Sequence, residues 1–315
     1  MSSSRPPPAE GIRVEWADLP DAVRRAIEDR LGGHVVEAVT QRGGFSPGLA
    51  ARIRTADGRR CFVKAVSEEA NPDTPGIHRR EAEVVAALPA EAPVARLLWV
   101  FDEGGWVALG LTDIEGHTPV LPWRDDELAI VIEGLQRLHQ LLTPSPLESA
   151  TAAHAFATMI RGWNEMRSGR VTDLDSWSTR HLDRLVELEA EAPAMLSGDT
   201  LLNFDVRADN ILLSGGQAYF VDWPWARIGP AFVDWLALAP SVSMQGGPAP
   251  ADLLRRAPLD GVSEEAINAV LASMTGYFLG HARRPPPPGI PTVRAFQAAQ
   301  GEVALRWLRI RLGWD

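Results

Sequence analysis

The sequence predicts an α+β protein of two lobes, with a small antiparallel sheet in the N-lobe and a larger, mainly helical C-lobe. Residues 12–115 contain short strand-like runs joined by glycine-rich turns, and one helical pattern interrupts them. Residues 116–315 are dominated by segments of helical period, apart from a few short apolar runs after residue 200. We predict that residues 1–11 form a disordered tail ahead of both lobes.

The N-lobe elements follow from capping residues, turn residues and periodicity. The first helix is predicted over residues 18–33, which contain an N-cap candidate, an early proline and a Gly-Gly stop. Three strand-like runs follow, HVVEAVTQ, LAARIRT and RRCFVKAV, and Asp57-Gly58 between the last two is a hairpin signal. The run GIHRREAEVVAAL has helical period, and two further strands flank Gly104-Gly105.

The C-lobe is predicted from helical segments and from the breaks between them. Six segments have helical character: residues 125–142, 151–168, 178–192, 229–240, 263–282 and 292–312. The short apolar runs ILL and AYFV are predicted as buried strands. The run RRPPPPGIP, residues 283–291, is predicted as a rigid connector, because proline cannot continue a helix.

Composition limits the class of protein. The chain is 45% hydrophobic and 23% charged, as in ordinary globular enzymes, and it has no apolar run of ~18 residues that would predict a membrane span. The net charge of -10 disfavours nucleic acid as a partner, because phosphate backbones require clustered Lys and Arg. Cys61 is the only cysteine and the N-terminus lacks the apolar core of a secretory signal, so we expect a cytoplasmic protein. We expect it to be a monomer or a homodimer.

A lysine and a glutamate occupy N-lobe positions where apolar residues are expected. Lys64 lies in CFVKAV, a strand that is mostly apolar on both faces. Glu81 falls within the apolar stripe of the predicted helix, whereas Glu83 lies on the other side. A buried Lys and a buried Glu predict an ion pair like the one that holds the ATP-contacting Lys of protein kinases. The alternatives are an edge lysine that reaches water and a surface glutamate beside Arg79 and Arg80.

The run GGFSPG, residues 43–48, lies between the first two predicted strands. It fits G-x-x-x-x-G, but Leu49 and Ala50 follow where a P-loop requires Lys and Ser or Thr, so it is not a Walker motif. Glycine lets a backbone approach phosphates closely. A glycine-rich loop over ATP is the protein-kinase arrangement and makes Gly44 a candidate nucleotide contact. A plain hairpin turn is the alternative.

Polar residues concentrate in NFDVRADNILLSGGQAYFVDW, residues 203–223. Asp205 and Asn210 have the D-x-x-x-x-N spacing of the kinase catalytic loop, and Asp222 follows an apolar run, where kinases have their metal-binding Asp. Phosphoryl transfer needs one carboxylate to accept the proton of the acceptor hydroxyl. It also needs an amide oxygen and a second carboxylate to hold Mg²⁺. The alternative is an Asx-rich turn followed by an ordinary strand end.

These segments together resemble the aminoglycoside phosphotransferase family, which has a protein-kinase-like fold. The resemblance spans roughly residues 35–240 and includes FVKA, REAEVVAAL, GLTDIEG, GLQRLHQL, NFDVRADN, VDW and GPAFVDWLAL. It implies a bilobal kinase-like fold, ATP (or GTP) as the phosphoryl donor, Mg²⁺ as cofactor and a small hydroxylated acceptor. It also implies that Asp205 is the catalytic base and that Asn210 and Asp222 bind Mg²⁺. Lys64, oriented by Glu81, would contact the α- and β-phosphates.

Further roles follow from the same resemblance. Ser46 stands where a loop residue of the family approaches the phosphates. We place the Thr112 carbonyl and the Ile114 N–H against the adenine. Asp234 resembles the helix aspartate that braces the catalytic loop, a structural role. His139 occupies a position where the family commonly has His, and we interpret it as a packing or capping residue.

The sequence departs from the family pattern at two positions of the catalytic loop. Asn203 stands where the family usually has His, so the hydrogen bonds of the loop must differ. Arg207 stands where the family often has His, and protein kinases have Lys there. Arg207 is therefore a candidate catalytic residue that contacts the γ-phosphate. The alternative is a salt bridge from Arg207 to Asp209 or Asp222.

The predicted function is transfer of a γ-phosphoryl group to a hydroxyl of an antibiotic or a sugar-like natural product, in a pocket walled by C-lobe helices. Trp123, Trp163 and Trp225 are candidates for its wall, by stacking or cation–π contact, and the alternative for each is a core position. A cationic aminoglycoside and a neutral alcohol both remain open as acceptors. A choline-, homoserine- or fructosamine-kinase-like metabolic enzyme and a nucleotide-binding pseudokinase are the rival functions.

Overall fold

The structure, a computed structural model, describes residues 7–315. Residues 1–6 of the predicted tail lie outside the described residues. Later residues of that tail are hydrogen-bonded, because the Gly44 N–H donates to the Ala9 carbonyl over 2.9 Å and Glu10 forms β-bridges with Gly43 and Gly44. Ala9 and Glu10 thus contact the glycine-rich run of residues 43–48.

An antiparallel sheet of five strands forms the N-lobe. Its strands are β1 (Val35–Thr40), β2 (Leu49–Thr55), β3 (Arg60–Ser67), β4 (Leu97–Glu103) and β5 (Trp106–Leu111). They lie in the order β1-β2-β3-β5-β4, with every neighbouring pair antiparallel. The predicted antiparallel sheet is therefore confirmed, and the strand that carries Lys64 is its central strand.

Two helices pack against this sheet. Helix α1 (Asp21–Leu31) ends at Gly32, whose positive φ of 70° suits a residue without a Cβ atom. Helix α2 (Thr74–Ala87) contacts β3, β4 and β5. The first helix begins later than predicted because Leu19, which precedes Pro20, is extended, as the residue before a proline prefers to be.

The C-lobe is mainly helical, as predicted. Within the described residues its helices are α3 (Asp125–Leu141), α4 (Ala152–Thr158), α5 (Gly162–Ser168), α6 (Ser176–Arg180), α7 (Leu182–Glu191), α8 (Phe232–Met244), α9 (Pro250–Leu254), α10 (Glu264–Ala282) and α11 (Val293–Leu312). Four short strands form two antiparallel pairs, β6 (Thr200–Leu202) with β9 (Arg227–Gly229) and β7 (Ile211–Ser214) with β8 (Gln217–Phe220). None of the helices described over residues 7–315 has both the length and the apolar character that a membrane crossing needs.

Two predicted helical segments are interrupted. The segment 151–168 divides into α4 and α5, and Gly162 at the start of α5 lies against the backbone of α10. A Cβ atom at Gly162 would stand 1.9 Å from the Gly276 carbonyl oxygen, so only glycine permits this approach. The segment 178–192 divides at His181 into α6 and α7. The close packing of α5 on α10 determines where one wall of the cleft between the lobes lies.

Candidate active site

Two cavities meet in the cleft between the lobes. The larger, of about 1180 Å³, is lined by eight of the predicted site residues: Gly44, Ser46, Lys64, Glu81, Thr112, Ile114, Asn210 and Asp222. The smaller, of about 610 Å³, is lined by Asp205 and Arg207. Ser46 and Asp222 line both cavities. The structure thus brings all the predicted residues to one cleft, with a shared boundary at Ser46 and Asp222.

Lys64 connects the N-lobe sheet to both α2 and the C-lobe. Its Nζ donates to the two Glu81 carboxylate oxygens over 2.7 and 2.8 Å and to Asp222 Oδ1 over 2.8 Å. Burial acts to lower the pKa of Lys64, but Asp222 and Glu81 outweigh it and raise the pKa above its ordinary value. Lys64 is therefore a buried, charged amine that bridges the two lobes.

The pKa values of the two carboxylates, Glu81 and Asp222, shift in opposite directions. Glu81 is 1% exposed, and burial raises its pKa despite the contact with Lys64. Burial acts in the same direction on Asp222, but Lys64 outweighs it and the pKa of Asp222 is lowered. The lowered pKa keeps Asp222 ionised, and both carboxylates hold the Lys64 ammonium.

We expect Glu81→Gln to lower kcat/KM for ATP by at least ~10-fold. The substitution removes a hydrogen bond between charged groups, worth roughly 1.5–3 kcal/mol, and releases Lys64. Glu83→Gln is the matched control, because Glu83 is exposed and lies on the other side of α2. Its effect should stay within about 2-fold, as for other surface changes. Steady-state kinetics with varied ATP measure both variants, and the reverse order would mean that the helix phase is wrong.

The glycine-rich loop between β1 and β2 is held from outside the sheet. Gly48 has a φ of 93°, and a Cβ atom there would stand 2.3 Å from the Ala65 carbonyl oxygen. The Arg13 guanidinium donates to the carbonyl oxygens of Gln41 over 3.0 Å and Gly44 over 3.3 Å, and also to those of Gly43 and Ser46. Sequence reasoning missed Arg13, because nothing near residue 13 indicates a partner in the loop. It fixes the loop over the larger cavity.

The loop that follows β6 is braced from α8. Asp234 accepts the N–H of Asn203 over 3.1 Å and that of Phe204 over 2.9 Å. His139 Nε2 lies 3.1 Å from the same carboxylate and is buried. Asp234 therefore makes the contacts that the predicted bracing role requires. His139 has this carboxylate as a polar partner in addition to its packing contacts. Phe204 has a φ of 68°, a strained conformation that these hydrogen bonds maintain.

Asp205 is a partly buried carboxyl whose pKa is raised from its ordinary value. Burial raises its pKa to about 7, against the lowering effect of Arg207. Arg207 Nη1 donates to Asp205 Oδ1 over 2.6 Å, and Asn210 Nδ2 donates to Asp205 Oδ2 over 3.2 Å. A carboxylate with a pKa near the working pH suits proton transfer. The two hydrogen bonds fix the orientation of its oxygens.

Arg207 forms salt bridges within its own loop. In addition to the contact with Asp205, its Nε and Nη2 donate to Asp209 over 3.1 and 3.0 Å. The guanidinium carbon lies 5.1 Å from the Phe45 ring centroid and 5.7 Å from that of Phe296. The alternative of a salt bridge to Asp209 is therefore observed, and the further pairing with Asp205 was not foreseen. Contact with a γ-phosphate stays a prediction.

Asn203 supports the segment that carries Asp222. Its Nδ2 lies 3.4 Å from the Val221 carbonyl oxygen and 3.3 Å from that of Asp222. Asp222 has a φ of 65°, in the left-handed region that few residues other than glycine, Asn and Asp adopt. The amide of Asn203 thus links the two polar loops, a contact that can maintain the strained backbone of Asp222.

Asn210 and Asp222 offer oxygen ligands of the kind that Mg²⁺ prefers. The Asn210 Nδ2 donates to the backbone carbonyl of Asp205 over 2.9 Å. The Oδ1 of Asn210 is therefore left for another partner. Both residues line the larger cavity. Mg²⁺ in phosphoryl-transfer sites is held by one or two carboxylates together with substrate phosphates. The donor set therefore fits Mg²⁺ bound with a nucleotide.

The segment after β5 joins the lobes and lines the larger cavity. The Thr112 N–H donates to the Arg96 carbonyl over 2.8 Å, and the Thr112 hydroxyl accepts the Arg96 N–H over 2.8 Å. The nearly buried Asp113 is paired with Arg52 and Arg60, over 2.7 and 2.8 Å. Sequence reasoning missed these pairs because the partners are far apart in the chain. They fix the backbone between Thr112 and Ile114.

His78 is a second residue that the sequence did not single out. It lies on α2 one turn before Glu81 and is 1% exposed. Burial lowers its pKa to about 3, so it is neutral. Among the described residues neither of its ring nitrogens has a hydrogen-bond partner. His78 precedes Glu81 by three residues, a spacing that places both on one face of a helix. This spacing is the feature of the sequence that could have indicated it.

The three candidate tryptophans occupy different environments. Trp225 lines the smaller cavity and is 38% exposed. Trp163 and Trp123 are instead core residues. The Trp163 Nε1–H donates to the Ala272 carbonyl over 2.8 Å, and that of Trp123 to the Gln245 side-chain oxygen over 3.3 Å. Their indole N–H groups are satisfied inside the C-lobe, so neither ring needs to face the cleft.

The smaller cavity is lined mainly by C-lobe residues. Helices α4, α5, α8, α10 and α11 all contribute to it, and the glycine-rich loop adds Phe45 and Pro47. The Phe45 and Phe296 rings meet edge to face with their centroids 5.2 Å apart. The smaller cavity is thus enclosed mainly by C-lobe helices and closed on one side by the N-lobe loop.

A family comparison identifies the class of protein to which these features correspond. The model of the phosphotransferase enzyme family matches residues 42–267, a span that contains every predicted site residue. It overlaps most of the region in which the sequence resembles aminoglycoside phosphotransferases. A comparison with curated proteins finds no significant match.

Several solved structures share the fold. A thermostable mutant of an aminoglycoside phosphotransferase, in a ternary complex with ADP and hygromycin B, has a TM-score of 0.62 at 16% identity, covering 91% of this chain and 98% of that one. A choline/ethanolamine kinase family protein from Mesorhizobium loti has a TM-score of 0.59 at 15% identity, covering 92% and 94%. An amicoumacin kinase in complex with AMP-PNP and Ca²⁺ has a TM-score of 0.57 at 10% identity, covering 91% and 94%. At these identities the likeness concerns the fold, and it confirms the predicted bilobal kinase-like architecture.

Proposed function

The chain belongs to the phosphotransferase enzyme family, and on that basis we propose that it transfers the γ-phosphoryl group of ATP or GTP to a hydroxyl of a bulky small molecule. The single observation that carries the proposal is the junction of the two cavities. The buried Lys64–Asp222 contact lies on the side of the larger cavity, and Asp205 lies on the side of the smaller one. A nucleotide and an acceptor can therefore occupy adjacent spaces with their reacting groups at the boundary.

The larger cavity is proposed as the nucleotide site. The Thr112 carbonyl and the Ile114 N–H would contact the base, and Gly44, Ser46 and Lys64 would contact the phosphates. Lys64 is suited to this role, because it is charged, buried and held by Glu81. Preorganised charge in a buried site stabilises phosphates more strongly than charge in water. The sequence and the cavity leave ATP and GTP both open as donors.

Asp205 is proposed as the general base. The acceptor oxygen forms a bond to the γ-phosphorus as the bond from that phosphorus to the bridging oxygen of the nucleotide breaks, and the hydroxyl proton passes to the Asp205 carboxylate. The nucleoside diphosphate leaves with the electron pair of the broken bond. Arg207 holds the Asp205 carboxylate in place over 2.6 Å and adds positive charge beside the developing phosphoryl charge.

Asn210 and Asp222 are proposed to hold Mg²⁺ through their side-chain oxygens. When bound, Mg²⁺ supplies positive charge against the phosphate oxygens. Lys64 already places one cation against Asp222 Oδ1, which leaves Asp222 Oδ2 as the oxygen for the metal. The lowered pKa of Asp222 keeps that oxygen ionised.

The size and lining of the smaller cavity favour an antibiotic-like natural product as acceptor. A volume of about 610 Å³ falls in the range of roughly 300–1,000 Å³ found for sites of drug-sized ligands. Choline and homoserine would fill only part of it. An antibiotic-resistance or detoxifying role therefore fits the cavity better than the metabolic rival does.

A screen of nucleotide turnover tests this function. ADP release is measured with ATP and Mg²⁺ over aminoglycosides, macrolides, nucleoside antibiotics and small amino alcohols. We expect at least one bulky compound to stimulate turnover well above the acceptor-free rate. Stimulation by choline or homoserine alone would instead support the metabolic enzyme. Nucleotide binding with no stimulation by any acceptor would support the pseudokinase.

A further inference from the structure

We propose that the acceptor is a mainly apolar hydroxylated molecule that also carries a carboxylate, and that Arg227 and Arg80 bind this carboxylate at one end of the smaller cavity. The inference rests on the proposed function, since it names the substrate class of the same site. It opposes the aminoglycoside alternative, because a polycation needs carboxylates that are free to bind it.

The acidic side chains of the cavity are already neutralised by the protein. Each carboxylate that lines it pairs with a cation: Asp205 with Arg207, Asp222 with Lys64 and Glu165 with Arg284. A cationic acceptor would have to compete with these pairs or bring a like charge next to their cations. The wall therefore offers a polycation no net attraction, although the whole chain is acidic.

Arg227, the first residue of β9, has no such partner. Its Nη1 donates to the carbonyl oxygens of Trp225 over 3.2 Å and Ala226 over 2.9 Å, and no carboxylate within residues 7–315 lies at salt-bridge distance from it. The side chain is half-buried. Its pKa is lowered, mainly by burial and also by the positive charge of the neighbouring Arg80. A partly desolvated guanidinium beside a like charge is unfavourable alone and gains from a bound anion.

Arg80 and Arg227 both line an annex of the smaller cavity. This annex, of about 630 Å³, is lined by both arginines and connects with the smaller cavity along Ile77 and Trp225. Arg80 Nη2 donates to Ser149 Oγ over 2.6 Å, and its Nη1 donates to the exposed Glu83 carboxylate over 3.2 Å, so a bound carboxylate would share Arg80 with Glu83. Two guanidinium groups with planar donors match the geometry of a carboxylate.

The remainder of the cavity suits an apolar body. Aromatic and aliphatic side chains from five segments of the chain line it: Met159, Phe204, Met274, Phe278, Ile290 and Phe296. Such a lining binds a ligand by burial of apolar area, while a few polar groups determine its orientation. Asp205 and Arg227 both line this cavity, so its wall offers an acceptor for a hydroxyl proton, an apolar surface and a cation for a carboxylate.

The test uses acceptors that differ only in terminal charge. ω-Hydroxy alkanoates of increasing chain length are compared with their methyl esters and with the ω-amino alcohols of equal length. For wild type we expect kcat/KM to decrease from carboxylate to ester to amine, with an optimum chain length. Arg227→Gln should lower kcat/KM for the carboxylate at least ~10-fold, as expected for loss of a charged hydrogen bond, and leave the ester within about 2-fold. Arg227→Glu should make the amine the best of the three.

Arg180→Gln is the control, because Arg180 is an exposed arginine of α6 that lines neither cavity. It should leave the order of the acceptors unchanged. Equal rates for carboxylate and ester, or a preference for the amine in wild type, would overturn the inference and leave the phosphotransferase function intact. Calorimetric binding of the carboxylate that depends on Arg227, without transfer to any hydroxyl, would support the anion site and refute the proposed function.

Discussion

Replacing Asp205 with Asn is expected to lower kcat by at least ~10²-fold, within the range assigned to general acid–base catalysis, while ATP still binds. Asparagine keeps an oxygen for Arg207 Nη1, which donates to Asp205 over 2.6 Å, but it cannot accept the proton of the acceptor hydroxyl. The measurement is kcat at saturating acceptor, together with the Kd for ATP. A variant with near wild-type kcat would show that Asp205 is not the base.

Asp209→Asn separates loss of the base from loss of the Arg207 network. Asp209 is the other carboxylate paired with Arg207, over 3.0 Å, and it lines the larger cavity. Because Asp209 has no proposed role in proton transfer, we expect a decrease in kcat of only ~10-fold or less, the size of a weakened charged hydrogen bond. Equal losses in the two variants would mean that the position of Arg207, and not proton transfer to Asp205, limits turnover.

Replacing Asp222 is expected to have the second large effect, a loss of at least ~10²-fold in kcat/KM for ATP. Removal of a metal ligand forfeits several kcal/mol of charge stabilisation, and each ~1.4 kcal/mol is a factor of ten. Asp222→Asn is a cleaner change than Asp222→Ala, because the φ of 65° strains alanine and is tolerated by Asn. Asp222→Ala should be at least as damaging. Turnover is measured as a function of Mg²⁺ concentration.

Asn210→Ala should be less severe, because an amide contributes an oxygen but no charge. We expect the Mg²⁺ concentration for half-maximal turnover to increase in both variants and to increase more for Asp222→Asn. Equal tolerance of the two substitutions in the metal titration would contradict the proposed pair of ligands. A loss of turnover without any change in the Mg²⁺ dependence would instead indicate that Asp222 acts through Lys64.

Local signals predicted the fold well, and tertiary packing explains the exceptions. The strands of the N-lobe follow from alternation and from turn residues such as Asp57-Gly58, which depend on near neighbours. The break between α4 and α5 depends on contact of Gly162 with Gly276 in α10, more than a hundred residues away in the chain. The same is true of Trp163, whose indole partner is a carbonyl of α10. A single sequence contains no local trace of these contacts.

The residues of the candidate site likewise divide into those that the sequence indicates and those that it does not. Asp205, Asn210 and Asp222 could be found because their spacing is required by one chemical step, and Lys64 and Glu81 because charge on an apolar face needs a partner. Arg13 and Arg227 could not, since only the fold brings each of them near the groups that surround it. Net charge does not describe the lining of the smaller cavity, because acids that line it are paired within the protein.

The most direct test of the central claim is phosphorus NMR of the products, with Mg²⁺-ATP and the best acceptor from the screen. The account predicts a phosphomonoester of the acceptor in an amount equal to that of ADP, and formation of this product at least ~10²-fold more slowly with Asp205→Asn. ADP accompanied only by inorganic phosphate would contradict transfer to an acceptor hydroxyl. A phosphomonoester formed equally fast by Asp205→Asn would contradict the site as assigned.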